Sequence, residues 1–314
     1  MLITLSAVFS VIVILNLVQN LLVIVVITRC KSLQTSITYL FLNLALADML
    51  VATSLIPQYV LRPVYTHPDG WAGTLLCKLF TGGYTMWVAG CASTVMHVVI
   101  AIERFYATRP GNLKIRKVSR RKLKVVIACC WLFAVLSELP PMYVMTYDKA
   151  REFSCYENWQ AYGKAYTTFT LFVDLLIPLI LMAVLYTRTV MALWYVSLRC
   201  PSTALRASKS RKRVTKIAII ITVLHALSWF PDVTAYFLSY HAPGIVEYGG
   251  MAYHACVIPV GLGTCVNPIV YHLQCAKFRS QVRKMLGCHA VEDKTQPLRL
   301  KQMGLLNHAA LINN

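Results

Sequence analysis

"IAIIITVLHALSWFPDVTAYFLSY", residues 217–240, is the stretch on which the fold turns. It holds a single carboxylate, Asp232, in a run long enough to cross a bilayer as a helix, for which about 20 mostly apolar residues suffice. A strand of that length is foreign to soluble proteins, and in hydrocarbon a lone segment must satisfy its own backbone, so the run reads as a membrane helix. Pro231 then marks a bend, and Asp232 beside it marks a functional candidate, because ionisable groups are expensive at that depth.

Working outward, six more runs share this character: Ile3–Ile27, Ser36–Leu61, Leu79–Ile102, Val125–Thr146, Ala165–Thr187 and Gly249–Leu273. The composition, 57% hydrophobic and 14% charged, is that of a membrane protein rather than a soluble domain. The connections are too short for a further folded domain. The reading is therefore an all-α protein, a seven-transmembrane helix bundle over residues 1–287, with a short tail over 288–314. Ile3–Ile27 lacks the basic start of a signal peptide and is followed by "RCK", so it is taken as the first helix.

Of the 31 Lys and Arg, 26 collect on one side of the spans, which the positive-inside rule assigns to the cytoplasm. The N-terminus is then outside and the C-terminus inside, as in a multi-pass protein of the plasma membrane. A net charge of +19 would suggest nucleic acid in a soluble protein, but here the basic residues flank spans, so anionic membrane lipid and cytoplasmic partners are expected and nucleic acid is not. Of eleven cysteines, only Cys77 and Cys155 fall at or in predicted outer segments, where a disulfide persists, and one bridge between them is expected. The remaining cysteines show no metal-binding spacing, and no nucleophile–base pair suggests an enzyme.

Polar residues inside the spans carry the next step. Asp48 lies mid-span in "LNLALADML", Glu103 and Arg104 close the third run in "AIERFYA", and Asn267 and Pro268 stand in "NPIVY" at the end of the seventh. Together with Asn20 in the first run, Trp131 in the fourth, Pro178 and Tyr186 in the fifth and "SWFP" in the sixth, their order and spacing resemble the rhodopsin-like G-protein-coupled receptors, across all seven spans. "CYENW" at 155–159 and the helix that follows resemble the neuropeptide Y, neuropeptide FF and tachykinin group of neuropeptide receptors.

The resemblance implies roles. Asp48, Ser93, Asn20 and Asn267 would hold an allosteric sodium ion, with no other cofactor. Arg104, Tyr186 and Tyr271 would rearrange to admit a heterotrimeric G protein, with Glu103 holding Arg104 until then. Trp229 and Pro231 would be the toggle and kink of the sixth helix. "CAKFRSQVRKML" at 275–286 reads as a short amphipathic helix on the membrane surface, with Phe278 inward and Lys277, Arg279, Arg283 and Lys284 toward lipid headgroups. Cys288 is a lipidation candidate. The tail after Gly287 holds one hydroxyl residue, Thr295, leaving Ser197, Ser202, Thr203, Ser208 and Ser210 as the alternative phosphate supply, so weak arrestin recruitment is expected.

Departures from the family pattern matter too. Cys77 and Arg104 are two residues further apart than usual, which "TGG" at 81–83 would absorb as a loosened turn or bulge. His225 and His97 replace apolar residues between the third and sixth helices, and are expected to share a hydrogen bond. Monoamine receptors carry an aspartate where this chain has Met86, and opsins a lysine where it has Gly261. The acids left at the outer half are Asp232, Asp174 and Glu138, under further acids in the outer loops; a negative pocket of this kind suits a cationic ligand. Asp232 and Asp174 are expected to face one another across the cavity and to engage an arginine of an extracellular, amidated peptide, which would rest on Trp229 and Tyr236. Pairing of Asp232 with His254 is the alternative. A small cationic amine, or a seven-span ion- or proton-coupled transporter using Asp48, Asp174 and Asp232, remain the competing readings.

Overall fold

The structure, a computed structural model, describes residues 2–108, 119–150, 155–199 and 205–285. Helix α1 spans Leu2–Arg29. Helix α2 spans Ser36–Leu55 and continues through a wide π-helical turn, Ile56–Val60, at Pro57. Its start is fixed by Thr35, whose Oγ1 accepts from Thr38 N at 3.4 Å while Thr35 N donates to Thr38 Oγ1 at 2.8 Å, a reciprocal cap that satisfies two otherwise orphaned donors. Helix α3 runs from Gly70 to Thr108 in three pieces: Gly70–Leu76, a π-helical turn at Cys77–Thr81, and Tyr84–Thr108.

Between the last two pieces Gly83 adopts φ +87°, a left-handed conformation that costs glycine little, and the π-helical turn before it is a loosened turn that reaches into "TGG" at Thr81. Helix α4 comprises Arg120–Ser137 and, after a break at Glu138, Leu139–Val144. Helix α5 comprises Gly163–Thr170, a π-helical turn at Leu171–Leu176 and Ile177–Arg199. Helix α6 is Leu205–His241, with Pro231 inside it. Helix α7 comprises Met251–Ala255 and Val257–Gln274, with Pro268 inside, and α8 is Ala276–Met285.

Seven of these helices are long and apolar enough to cross a membrane. They pack as a bundle in which α3 is central, touching α2, α4, α5 and α6, while α7 lies between α6, α1 and α2. Side chains on the bundle's outside are apolar, among them Ile14 and Val18 on α1, Leu132 and Leu136 on α4, and Ile180 and Met191 on α5. Such a surface suits lipid and not water. Small residues line the α2–α3 contact, where Ala45, Ala47, Ala89 and Ala92 are fully or almost fully buried and let the backbones approach.

The helices extend past the apolar runs because helical hydrogen bonding continues through the headgroup zone, which hydropathy does not register; α6 thus begins within the basic segment around Lys209. Among the described residues the bundle also carries a short two-stranded sheet. Met145–Tyr147 (β1) and Cys155–Glu157 (β2) form an antiparallel hairpin between α4 and α5, with Met145 opposite Glu157. Three-residue strands are too short to show an alternating pattern in the sequence. The expected amphipathic α8 is present, with Phe278 and Val282 buried and the Tyr271 and Phe278 rings 6.3 Å apart. Arg279 is an exception to the expected facing: its guanidinium turns back to the carbonyls of His272 and Leu273, each at 3.5 Å, at the end of α7, where unpaired carbonyls attract a cation.

Candidate functional site

At the hairpin end of the bundle, a cavity of about 240 Å³ opens between α2, α3, α7 and the hairpin. The Cys77–Cys155 disulfide, with its Cα atoms 5.5 Å apart, fastens the hairpin to α3 beside it, as the sequence led us to expect. Tyr59 and His254 lie on its wall, joined by a 2.8 Å hydrogen bond between the phenol and Nδ1, and Tyr59 stacks on Phe9 at 4.2 Å. Met86 faces the same space, with Trp87, Gln58 and Arg62. No carboxylate is among its described lining residues, so the expected negative pocket is not what the structure shows.

Each acid has gone elsewhere. Asp232 is 0% exposed, and neither carboxylate oxygen has a partner among the described residues. Its electrostatic neighbours are Tyr59, Tyr253 and Cys256, so it looks toward α7, behind the cavity wall, and is not paired with His254. Asp174 does not face Asp232: it stands on the π-helical turn of α5, with a carboxylate oxygen within 4.8 Å of the Cys91 sulfur and a Glu138 oxygen. Trp229 lies beneath the cavity, 5.9 Å from Trp87 and edge to face. It fits because Gly90 has no side chain; a Cβ there would fall on the indole ring.

Tyr236 is tied to a residue that the sequence reading counted only among the acids of the outer loops. Glu157 of β2, half-buried, accepts hydrogen bonds through Oε2 from Trp159 Nε1 at 2.5 Å, Tyr236 OH at 2.8 Å and Tyr240 OH at 3.0 Å. Burial pushes its carboxyl above the usual range, and the hydrogen bonds to the charged form oppose part of that rise. The hairpin is thereby fastened to α6 as well as to α3. The signal was present in outline: Tyr236 and Tyr240 are one turn apart on a single face.

Away from the hairpin, a polar network runs through the bundle. Asn267 Nδ2 donates to Asp48 Oδ2 at 2.9 Å. Asn20 Nδ2 does not reach Asp48 but donates to the carbonyls of Asn16 and Thr264, both at 3.1 Å. Ser93 Oγ and Asn20 Oδ1 are buried with no partner among the described residues. A carboxylate with orphaned neutral oxygens is a donor set that fits a hard cation such as sodium. His97 and His225 do not share the expected hydrogen bond: their rings stack, centroids 4.4 Å apart, while His225 Nε2 meets Thr94 Oγ1 and His97 Nδ1 meets the Ser93 carbonyl, each at 2.8 Å. A polar partner within each ring's reach makes stacking the better packing.

At the far end Arg104, buried, forms an ion pair with Glu103. Tyr186 OH lies 3.1 Å from Thr222 Oγ1, and Tyr271, its hydroxyl unpartnered among the described residues, stacks on Phe41 at 4.9 Å. In this arrangement no hydrogen bond joins the three among the described residues, and the arginine is held by its neighbour. Pro231 and Pro268 stand inside α6 and α7, which remain continuous around them. Cys288, Thr295, Ser202 and Thr203, and the side chains of Ser197 and Ser208, lie outside the described residues.

Comparison with known proteins fits this geometry. The family model for the 7 transmembrane receptor (rhodopsin family) matches residues 19–271. Neuropeptide receptor 22 of Caenorhabditis elegans is 26% identical over 302 residues, covering 87% of this chain and 68% of that protein. Galanin receptor 2b of Danio rerio is 29% identical, with 90% and 75% covered, and a QRFP-like peptide receptor of Branchiostoma floridae is 27% identical, with 91% and 78% covered. Squid rhodopsin superposes with a TM-score of 0.75 at 22% identity, over 93% of this chain and 89% of its own. The family match spans every helix from the middle of α1 to the end of "NPIVY", and the chain belongs to the rhodopsin family of seven-transmembrane receptors.

Proposed function

We propose that this receptor sits in the plasma membrane with its hairpin end outside, binds an extracellular peptide there and passes the signal to a heterotrimeric G protein at the Arg104 end. The distribution of Lys and Arg supports the orientation, and the names of the relatives support a peptide. The observation that carries the reading is the cavity itself: it is open toward the hairpin, walled by Tyr59, Trp87, Tyr253 and His254, and holds Met86 where an amine would need a carboxylate. Aromatic walls with amide and imidazole groups, and the Arg62 cation in place of a carboxylate, suit side chains and amides of a peptide better than a lone ammonium. Screening amidated peptides and amines for stimulated nucleotide exchange tests it, and activation by amines alone would overturn it.

A second observation favours an arginine in that peptide. Asp232 is buried with both oxygens unpartnered, and a guanidinium engages a carboxylate with two hydrogen bonds at once. Reaching it requires the wall around Tyr253 to part. Asp232→Asn combined with an Arg→citrulline peptide decides the matter, since losses that simply add place the arginine elsewhere. Sodium at Asp48, and lipid headgroups at Lys277, Arg283 and Lys284, complete the set of proposed partners.

A further inference from the structure

One cluster belongs to neither the cavity nor the polar network. Where α3, α4 and α5 meet, Cys91, Glu138 and Asp174 bring a sulfur and two carboxylate oxygens within 4.8 Å of one another. Glu138 is 1% exposed; its Oε2 accepts from Tyr166 OH at 3.3 Å, and its Oε1 has no partner among the described residues. Asp174 Oδ1 and the neighbouring Ser137 Oγ are buried and unpartnered in the same way. A thiol and two carboxylates from three helices thus converge on one point, with the Ser137 hydroxyl next to Glu138 in the chain. Two carboxylates this close repel unless a proton or a cation lies between them.

We propose that this is a zinc site, with the Cys91 thiolate and the Glu138 and Asp174 carboxylates as protein ligands and Ser137 Oγ or a water in the fourth position. Three atoms no more than 4.8 Å apart can all lie within about 2.8 Å of a central ion, against about 2.0–2.3 Å for zinc–oxygen and zinc–sulfur bonds. Each ligand atom therefore moves by about 0.5–0.8 Å to close the shell. The sulfur sets the metal class, because calcium and magnesium take oxygen ligands while a thiolate selects zinc. As the zinc–sulfur bond forms, the thiol proton leaves to water, so binding releases protons.

Two features suit the site to a regulatory ion. Asp174 reaches it from a π-helical turn, a local departure frequent at functional positions. A small cleft of about 10 Å³ beside it is lined by both Glu138 and Glu157 of the hairpin. A cation bridging three helices stabilises the arrangement in which all three ligands meet, here the one with Arg104 paired to Glu103. Zinc should therefore oppose agonist-stimulated exchange.

The test uses the full chain in lipid nanodiscs, without agonist, so that its outcome is independent of the peptide reading. Cobalt(II) is titrated first, because a thiolate ligand gives a charge-transfer absorption band that carboxylates do not, and zinc is then added to displace it. The band should appear in the wild type, disappear in Cys91→Ser, and persist with magnesium present. Zinc affinity should fall at least tenfold in Asp174→Asn and in Glu138→Gln. Cys91→Ser is nearly isosteric and keeps the judgement possible if a carboxylate variant fails to fold. A wild type without the band, or a band and zinc affinity unchanged in Cys91→Ser, would overturn the proposal.

Discussion

Replacing Asp232 by valine should make the ligand-free receptor more stable. The carboxylate is 0% exposed and its two oxygens have no partner among the described residues. A buried polar group without a hydrogen bond costs about 1–3 kcal/mol, and valine has a similar shape and no such need. With an unfolding entropy of about 2 cal/mol/K per residue, that gain raises Tm by roughly 2–5 °C for a chain of this size. Thermal unfolding in nanodiscs can be followed with a thiol-reactive dye, since Cys91, Cys130 and Cys265 are buried and free and become reactive only as the bundle opens. The same variant should lose the agonist's own stabilisation if a ligand cation meets this carboxylate. A fall in Tm of the ligand-free protein would refute the reasoning, because it would mean that the native fold already satisfies Asp232.

Three further outcomes follow from the geometry. Arg104→Ala removes the buried cation beside Glu103 and should abolish nucleotide exchange while peptide binding stays measurable; wild-type exchange would exclude this arginine from coupling. Sodium should weaken agonist binding by linkage, and Asp48→Asn, which keeps a side chain able to meet Asn267, should remove that dependence; a response that survives would belong to bulk salt. For Glu157, burial raises the folded carboxyl above its ordinary 4.5, so the folded state binds more protons than the unfolded one and stability falls as pH rises from about 4.5 through the folded value. Glu157→Gln should flatten that slope, and an unchanged slope would assign it to other groups.

What the sequence made legible, and what it did not, divides along physical lines. Spans, prolines and mid-membrane polar residues were readable because the bilayer makes each costly and therefore conspicuous, as with Asp48, Asn267 and Pro231. Facing was harder. Each residue of helix turns the side chain by about 100°, so one wide turn redirects everything beyond it. Asp174, on such a turn, meets Glu138 and not Asp232. Glu157 was counted as one more loop acid, because its partners Tyr236 and Tyr240 lie far along the chain and only the folded hairpin brings them together. The stacked imidazoles show a third limit: a pair of polar rings was readable, but whether they bond or stack depended on Thr94 and the Ser93 carbonyl.

Helix α6 has a mechanical consequence. From Pro231 to its start at Leu205 it is an unbroken rod, roughly 39 Å long at 1.5 Å per residue, and longer than the hydrocarbon core is thick. The proline stands near one end of that rod, so it acts as the fulcrum of an unequal lever. A tilt of only about 10° there sweeps the basic segment at Lys209 through about 6 Å, while the short arm carrying Tyr236 moves by little more than an ångström. The ligand end therefore works with small displacements and the partner end with large ones, and the mechanical advantage between them is set by where one proline falls in the chain.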